Sequence, residues 1–437
     1  MTTNPQPADS YASVSNSKRV DAFDAPRPAA VGSRIVSPET TYWLGERLFR
    51  LLGMRSGGSE TLSAINSILV VRNDGVGDLV LTGPLLKALR SSFPDAWISL
   101  LVRPATRNLV ELCPYVDEVL TFDRKSSDKS TLAVVRRLLR AIRLSASSLW
   151  RRRFDVAIVP RWEADHFFAS YLAYLSGATC RIGYSERVTA HKQRYNSGYD
   201  RLFTRVLCDK SIKHELEHNL DIIDCLGGTA VSRQLEVWLE EDDNRYAEGI
   251  LSCLEPESPV VAVGIGSASP ARRWPAERFA EACSWLTHAV GCQVVLVGSP
   301  REMPLAEQVV AMCRGRVLNA VGRTTLRQAA ALLGSCNFYM GNNTGTMHLA
   351  AAMGRPVIEI SCNASTCSAS HRHSSERFGP WGVEHCLVQP RRPLPGCSDG
   401  CHKPEAHCIL QVTVDQIKTT IESRLETWCG PSMQIRP

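Results

Sequence analysis

The sequence predicts an α/β protein built from two consecutive Rossmann-like units, and three observations predict it. From residue 67 onward, short runs rich in Val, Ile and Leu alternate with helical stretches; a Gly/Asp-rich turn closes the first of these runs; and a similar series restarts at residue 260. Near-continuous apolar runs suit strands of a parallel sheet, because helices cover both of its faces. A chain of 437 residues, 44% hydrophobic and 22% charged, can bury two cores of ordinary domain size. Two such sheets in succession imply a cleft between them.

Residues 1–40, rich in Ser, Pro, Ala and Asn, are expected to form a disordered tail. Residues 41–55 carry Trp, Leu and Phe at helical spacing between arginines, which predicts a helix packed on the first domain in preference to one lying on an anionic membrane surface. The first series then predicts strands at 67–72, 96–102, 119–122 and 155–159, with helices at 79–91, 106–112 and 131–153. A helix at 215–226 ends at Gly227-Gly228, and the acidic stretch 239–247 reads as the approach to the second domain. The second series predicts strands at 260–264, 293–297, 317–319, 337–340 and 357–360, separated by helices at 276–290, 303–313, 326–333 and 347–353. A last helix at 414–428 is expected to pack back on the first domain. The expected units are therefore residues 41–240, 241–413 and a C-terminal piece at 414–437.

The chain is organised around Ser67 to Pro84, where a strand stops abruptly at Asn73-Asp74-Gly75-Val76-Gly77-Asp78 and turns into a helix. Backbone N–H groups at a helix start stabilise a carboxylate, so Asp78 is expected to stay ionised, either as an N-cap or as a base facing the crevice at the strand's carboxyl end. Thr82 lies one turn further along. In the second unit, Gly264 to Pro275 and Gly341 to His348 each follow a strand and precede a helix. They offer small residues, hydroxyls and the adjacent cations Arg272 and Arg273, a combination that suits a diphosphate.

These residues carry a resemblance. The chain is similar, over about residues 67–425, to glycosyltransferase family nine, the ADP-heptose:lipopolysaccharide heptosyltransferases. Gly77-Asp78-Leu79-Val80-Leu81-Thr82-Gly83-Pro84 resembles that family's GDxxxTxP, and Arg181-Ile182-Gly183-Tyr184 matches a middle motif. Arg272-Arg273-Trp274-Pro275 resembles K-x-W-P, and Asn343 to Leu349 resembles D-[ST]-G-x-x-H. The resemblance implies a GT-B fold and an inverting sugar transfer from a nucleotide-sugar donor to a glycolipid or surface-glycan acceptor, with no cofactor. It implies Asp78 as catalytic base and Gly77 and Thr82 on the acceptor side. Ser267, Ser269, Arg272, Glu302, Asn343, Thr344, Gly345, Thr346 and His348 would serve the donor, with His348 and Arg272 stabilising the departing diphosphate. Two positions depart from the pattern: Asn343 replaces the usual Asp, and Arg272 replaces Lys, keeping the charge but changing its geometry.

Other classes fit less well. A nicotinamide-dependent oxidoreductase would need a third glycine after Gly77 and an acid ending the second strand, and neither is present. A non-catalytic nucleotide- or glycan-binding protein of the same fold is the alternative that Asn343 suggests. No apolar run approaches the roughly 20 residues of a membrane span; a cytoplasmic protein is expected, with transient contact at the inner membrane face and no nucleic-acid partner. The arginines of 136–153 suit equally a solvated helix face and a surface for acidic glycolipid or anionic lipid. Of the 16 cysteines, several crowd the C-terminal region with His402 and His407, but their spacing is irregular and no metal is assigned.

Overall fold

The computed structural model of the protein describes residues 37–51, 65–123, 130–371, 373–398 and 404–430. The expected tail up to residue 36, the end of the first helix, and Cys401 and His402 lie outside the described residues. Two six-stranded sheets are present among them, with β1 (Ser67–Val71), β2 (Trp97–Val102), β3 (Glu118–Thr121), β4 (Val156–Val159), β5 (Cys180–Tyr184) and β6 (Arg205–Leu207) in the order β3-β2-β1-β4-β5-β6. The second contains β7 (Val260–Gly264), β8 (Gln293–Val297), β9 (Val317–Asn319), β10 (Phe338–Asn342), β11 (Val357–Ile360) and β12 (His385–Val388) in the order β12-β11-β10-β7-β8-β9. The pairings are parallel, with Ile68 opposite Ile98 and Val156, and Val263 opposite Leu296 and Met340. In each sheet the strand order reverses at its first strand, which opens a crevice at the carboxyl ends of β1/β4 and of β7/β10.

Several elements differ from the sequence reading. The helix expected at 79–91 is two helices, Val76–Val80 and Gly83–Ser92, because Pro84 cannot continue a helix but is well placed in the first turn of a new one. The basic stretch is helical over Thr131–Leu144, then widens and tightens through Ser145–Leu149 and Trp150–Arg152 before stopping at Arg153, whose φ is 47°. The stretch around 241 is a helix, Glu241–Leu251, opened by Glu241, Asp242 and Asp243, which its N-terminal dipole favours. Arg181 to Tyr184 is strand β5.

The C-terminal helix is split into Val414–Glu422 and Leu425–Cys429. It packs on the second sheet and not on the first domain: Ile417, Ile421, Leu425 and Trp428 join the core of Val261, Val263, Phe338 and Met340. The N-terminal helix, Pro38–Leu51, buries Thr41, Gly45 and Phe49 against the first domain, and the Tyr174 hydroxyl donates to the Tyr42 carbonyl at 2.8 Å.

The two domains meet at helix starts. A side-chain carbon on Gly345 would stand 2.7 Å from the Val76 side chain, and one on Gly77 would overlap the His348 ring, so only glycine permits this approach. Arg327 binds Glu111 of the first domain (2.9 Å) together with Asp243 (2.8 Å). Arg377, fully buried, reaches from the second domain to Glu163 (3.1 Å) and Glu215 (3.2 Å) of the first.

Candidate functional site

Asp78 is not the N-cap of its helix. Gly75 occupies that place, and the Asp78 carboxylate in the first turn accepts the Gly75 N–H at 3.2 Å. The same carboxylate lies 3.4 Å from Arg72, just after β1, and 3.8 Å from Arg161, which follows β4. Arg72 also holds Asp74 (3.3 Å) and Glu215 (3.4 Å), and Arg161 holds Asp74 (2.6 Å). Of the three carboxylates on Arg72, Asp78 is 22% exposed and the others at most 4%, so Asp78 alone of the three is available to a ligand in the crevice.

Charge sorts these acids. Burial would raise the Asp78 carboxyl, but Arg72, Arg161 and the Gly75 N–H outweigh it and hold it below the usual carboxylate range. Burial pushes Asp74 up to about 6, against the same two arginines. Two neighbouring acids with opposite shifts form an arrangement suited to acid–base work.

Across the interface stands His348, buried, on the helix Gly345–Ala352. Burial and nearby His214 hold its imidazole down at about 4 despite Asp78, so at neutral pH it is uncharged. For the departing diphosphate it therefore offers a neutral ring nitrogen and no cation. Its Nδ1 is buried with no hydrogen-bond partner among the described residues.

The other expected residues separate into those at the crevice and those behind it. Thr82 is fully buried and donates to the Asp78 carbonyl at 2.8 Å, so it holds the turn and does not reach an acceptor. Gly77 is an interdomain contact, pressed on His348. Arg272 is half-buried, 3.3 Å from the His373 ring, on the loop after β7, where Ser267 accepts the Ser269 N–H at 3.4 Å. Glu302, held by the Ser299 N–H at 2.6 Å, lies over Gly266, where no larger residue would fit. Thr344 and Thr346 share a hydrogen bond of 2.9 Å, and the Tyr339 hydroxyl meets Thr346 at 2.9 Å.

Asn342, which the sequence reading passed over, ties the two loops of this domain together. Fully buried, it donates to the Ile265 and Gly266 carbonyls (3.0 and 2.9 Å) and accepts the Trp274 N–H (3.0 Å). Arg72, Arg161, Glu215 and Arg377 were missed as well. Arg72 follows β1 directly and Arg161 follows β4 after Pro160, which places a cation at a sheet's carboxyl edge and was the available signal.

The Asn343 departure has a local cause. Its amide donates to Glu359 (2.8 Å) and to the Phe378 carbonyl (3.1 Å). Burial raises the Glu359 carboxyl, while Ser375 and Asn343 donate to it and counter the rise. Asn343→Asp sets two carboxylates face to face, so the pair must share a proton or lose stability. The expected cost is about 1–3 kcal/mol. It grows as pH rises, because a raised pKa contributes stability at low pH that is lost on ionisation. Urea midpoints at pH 5 and pH 8 check it: equal losses at both would contradict the pairing.

The chain is similar to proteins of known family. The sequence profile described as glycosyltransferase family 9 (heptosyltransferase) matches residues 142–382. "Lipopolysaccharide heptosyltransferase 2" of Escherichia coli (strain K12) is 26% identical over 309 residues, covering 67% of this chain and 82% of that protein. "Lipopolysaccharide core heptosyltransferase OpsX" of Haemophilus influenzae is 22% identical over 303 residues, 68% of this chain and 79% of that protein. Among solved structures, a glycosyl transferase family 9 protein of Veillonella parvula superposes with a TM-score of 0.68 at 21% identity, covering 85% of this chain and 100% of that one. The E. coli ADP-heptose lps heptosyltransferase II superposes at 0.61 with 21% identity, covering 83% and 99%. The two parallel sheets are the GT-B fold expected from the resemblance. With more than half its length matched, the chain belongs to glycosyltransferase family 9, the heptosyltransferases.

Proposed function

We propose that the protein transfers a heptose from ADP-heptose, with inversion, to a lipopolysaccharide-core or related surface-glycan acceptor. The observation that carries this reading is Asp78: an ionised, partly exposed carboxylate at the carboxyl edge of one sheet, next to the helix start and loops of the other. The names of the curated relatives support the sugar and the acceptor. Residues 41–240 would receive the acceptor and residues 241–413 the donor.

Asp78 is a weak base, and the chemistry requires no stronger one. As the acceptor oxygen bonds to the anomeric carbon it becomes acidic, so the proton passes to Asp78 late, while negative charge collects on the departing diphosphate. Arg272 and the N–H groups opening the Gly345 helix would receive that charge, with Ser267, Ser269, Thr344 and Thr346 as hydroxyl donors and Glu302 on the nucleoside. His348 would contribute a hydrogen bond and no net charge.

Thermal shift with ADP, UDP, GDP and NAD tests the donor site. ADP at about 100 times its Kd stabilises by about 2.7 kcal/mol, and Arg272→Ala is expected to lose most of that shift. A response to UDP or GDP in place of ADP would keep the fold and discard the heptose donor. No response to any nucleotide would favour the non-catalytic alternative.

No helix among the described residues is long and apolar enough to cross a membrane. Contact at the inner membrane face is proposed for the helix Thr131–Leu144, where Leu132 and Leu139 (58 and 59% exposed) lie on one stripe with the exposed Arg136 and Arg143. Apolar anchors interleaved with cations suit an anionic interface. Arg152 is not part of this surface, because it is paired with Glu118. Co-sedimentation with phosphatidylglycerol vesicles is expected to fall severalfold in L132E/L139E; unchanged sedimentation would remove the proposal.

A further inference from the structure

Three of the residues that crowd the C-terminal region converge in space. Cys397, His407 and Cys408 bring two sulfurs and one ring nitrogen within 4.8 Å of one another, and both cysteines are 3% exposed. His407 Nδ1 lies 3.2 Å from the Glu405 carbonyl. A carbonyl only accepts, so Nδ1 carries the proton and Nε2 presents its lone pair, 2.7 Å from Cys397 Sγ. Orienting a histidine through its far nitrogen is the usual outer support of a metal ligand. The Leu394 N–H donates to Cys408 Sγ at 3.4 Å, which fixes the sulfur's position beside the other two.

We infer that Cys397, His407 and Cys408 form a structural site for a zinc-class divalent cation. Two thiolates and a neutral imidazole select zinc among the common ions. Binding replaces two S–H bonds by two metal–sulfur bonds and releases two protons. A second cluster, Asp209, His218 and Asp221, is not a rival site: Lys213 already bridges its carboxylates at 2.8 and 2.7 Å, and His218 stacks on Trp162.

The position gives the ion a role. Cys408 opens the turn Cys408–Gln411, followed by Val412, and the Val412 carbonyl accepts from the buried Trp274 indole (2.9 Å) and from Arg278 (2.6 Å). Trp274 lies two residues beyond Arg272, so an ion clamping Cys408 would brace the loop that presents Arg272. This last step rests on the donor site proposed above; metal binding itself does not.

The test is elemental analysis of the full chain, purified untagged and without chelator. About one zinc per chain is expected, falling to background in Cys397→Ser and in His407→Ala, with lower Tm. Should those variants misfold, the wild type stripped with an organomercurial and reloaded with Co(II) is expected to show a thiolate-to-cobalt charge-transfer band. Zinc-free wild type that gives no such band, or a Cys397–Cys408 disulfide found by mass spectrometry, would overturn the site. A bound metal with no change in ADP affinity on its removal would keep the site and remove only the bracing role.

Discussion

Asp78→Asn is expected to lower kcat by about 10²–10⁴-fold while leaving the Kd for ADP-heptose within a factor of about two. The substitution keeps the shape and an oxygen for the Gly75 N–H, so the turn at 75–78 stays in place. Arg72 keeps Asp74 and Glu215, and Arg161 keeps Asp74, so neither cation is left buried alone. What is removed is the one acceptor in this cluster that reaches the crevice and can take a proton. Uniform binding energy acts on KM, whereas a group needed only as the bond forms acts on kcat. ADP release with acceptor, together with calorimetric donor binding, reads both quantities; a fall of less than tenfold would show that another group is the base.

Much of the site was legible because strand ends are legible. The runs 260–264 and 338–342 end on Gly264 and Asn342, the run 67–71 gives way to Arg72-Asn73-Asp74-Gly75, and ligands gather at the carboxyl ends of parallel strands. Asp78, Arg272 and the loop at 343–346 could therefore be found from local pattern. The strand ends also place Arg72 and Arg161 at their sheet's carboxyl edge, but their meeting on Asp78, and Arg377 behind them on Glu215, could not be read, because the three come from distant segments. The neutral state of His348 lay out of reach for a related reason: it depends on burial by the opposing domain, which no local pattern reports. The same limit hid the direction of the C-terminal helix, whose apolar face would suit either domain. The C-terminal cysteines and histidines were visible as a crowd, but their irregular spacing could not report that Cys397, His407 and Cys408 converge.

Arg377→Met is expected to cost about 3–5 kcal/mol, the largest stability loss of the substitutions considered. Arg377 is fully buried, and its removal takes from Glu163 and Glu215 the cation they share across the domain junction, leaving the first to His191 and the second to Arg72. Burial would raise the Glu163 carboxyl, but the His191 contact and Arg377 hold it down at about 2, so its loss of a partner is felt at every pH above that. Adding Glu163→Gln and Glu215→Gln to Arg377→Met is expected to recover most of the urea midpoint, because the penalty is the uncompensated charge and not the missing volume. The consequence for catalysis follows from Arg72, which lies 3.4 Å from Glu215 and 3.4 Å from Asp78. With Arg377 gone, Glu215 draws Arg72 toward itself, and the Asp78 carboxyl rises toward its ordinary range. The acid limb of kcat/KM then moves to higher pH in Arg377→Met and returns when Glu215→Gln is added. A variant that is merely unstable would lose amplitude at all pH values and leave the limb in place, so the position of that limb decides whether this buried bridge only joins the domains or also sets the charge of the base.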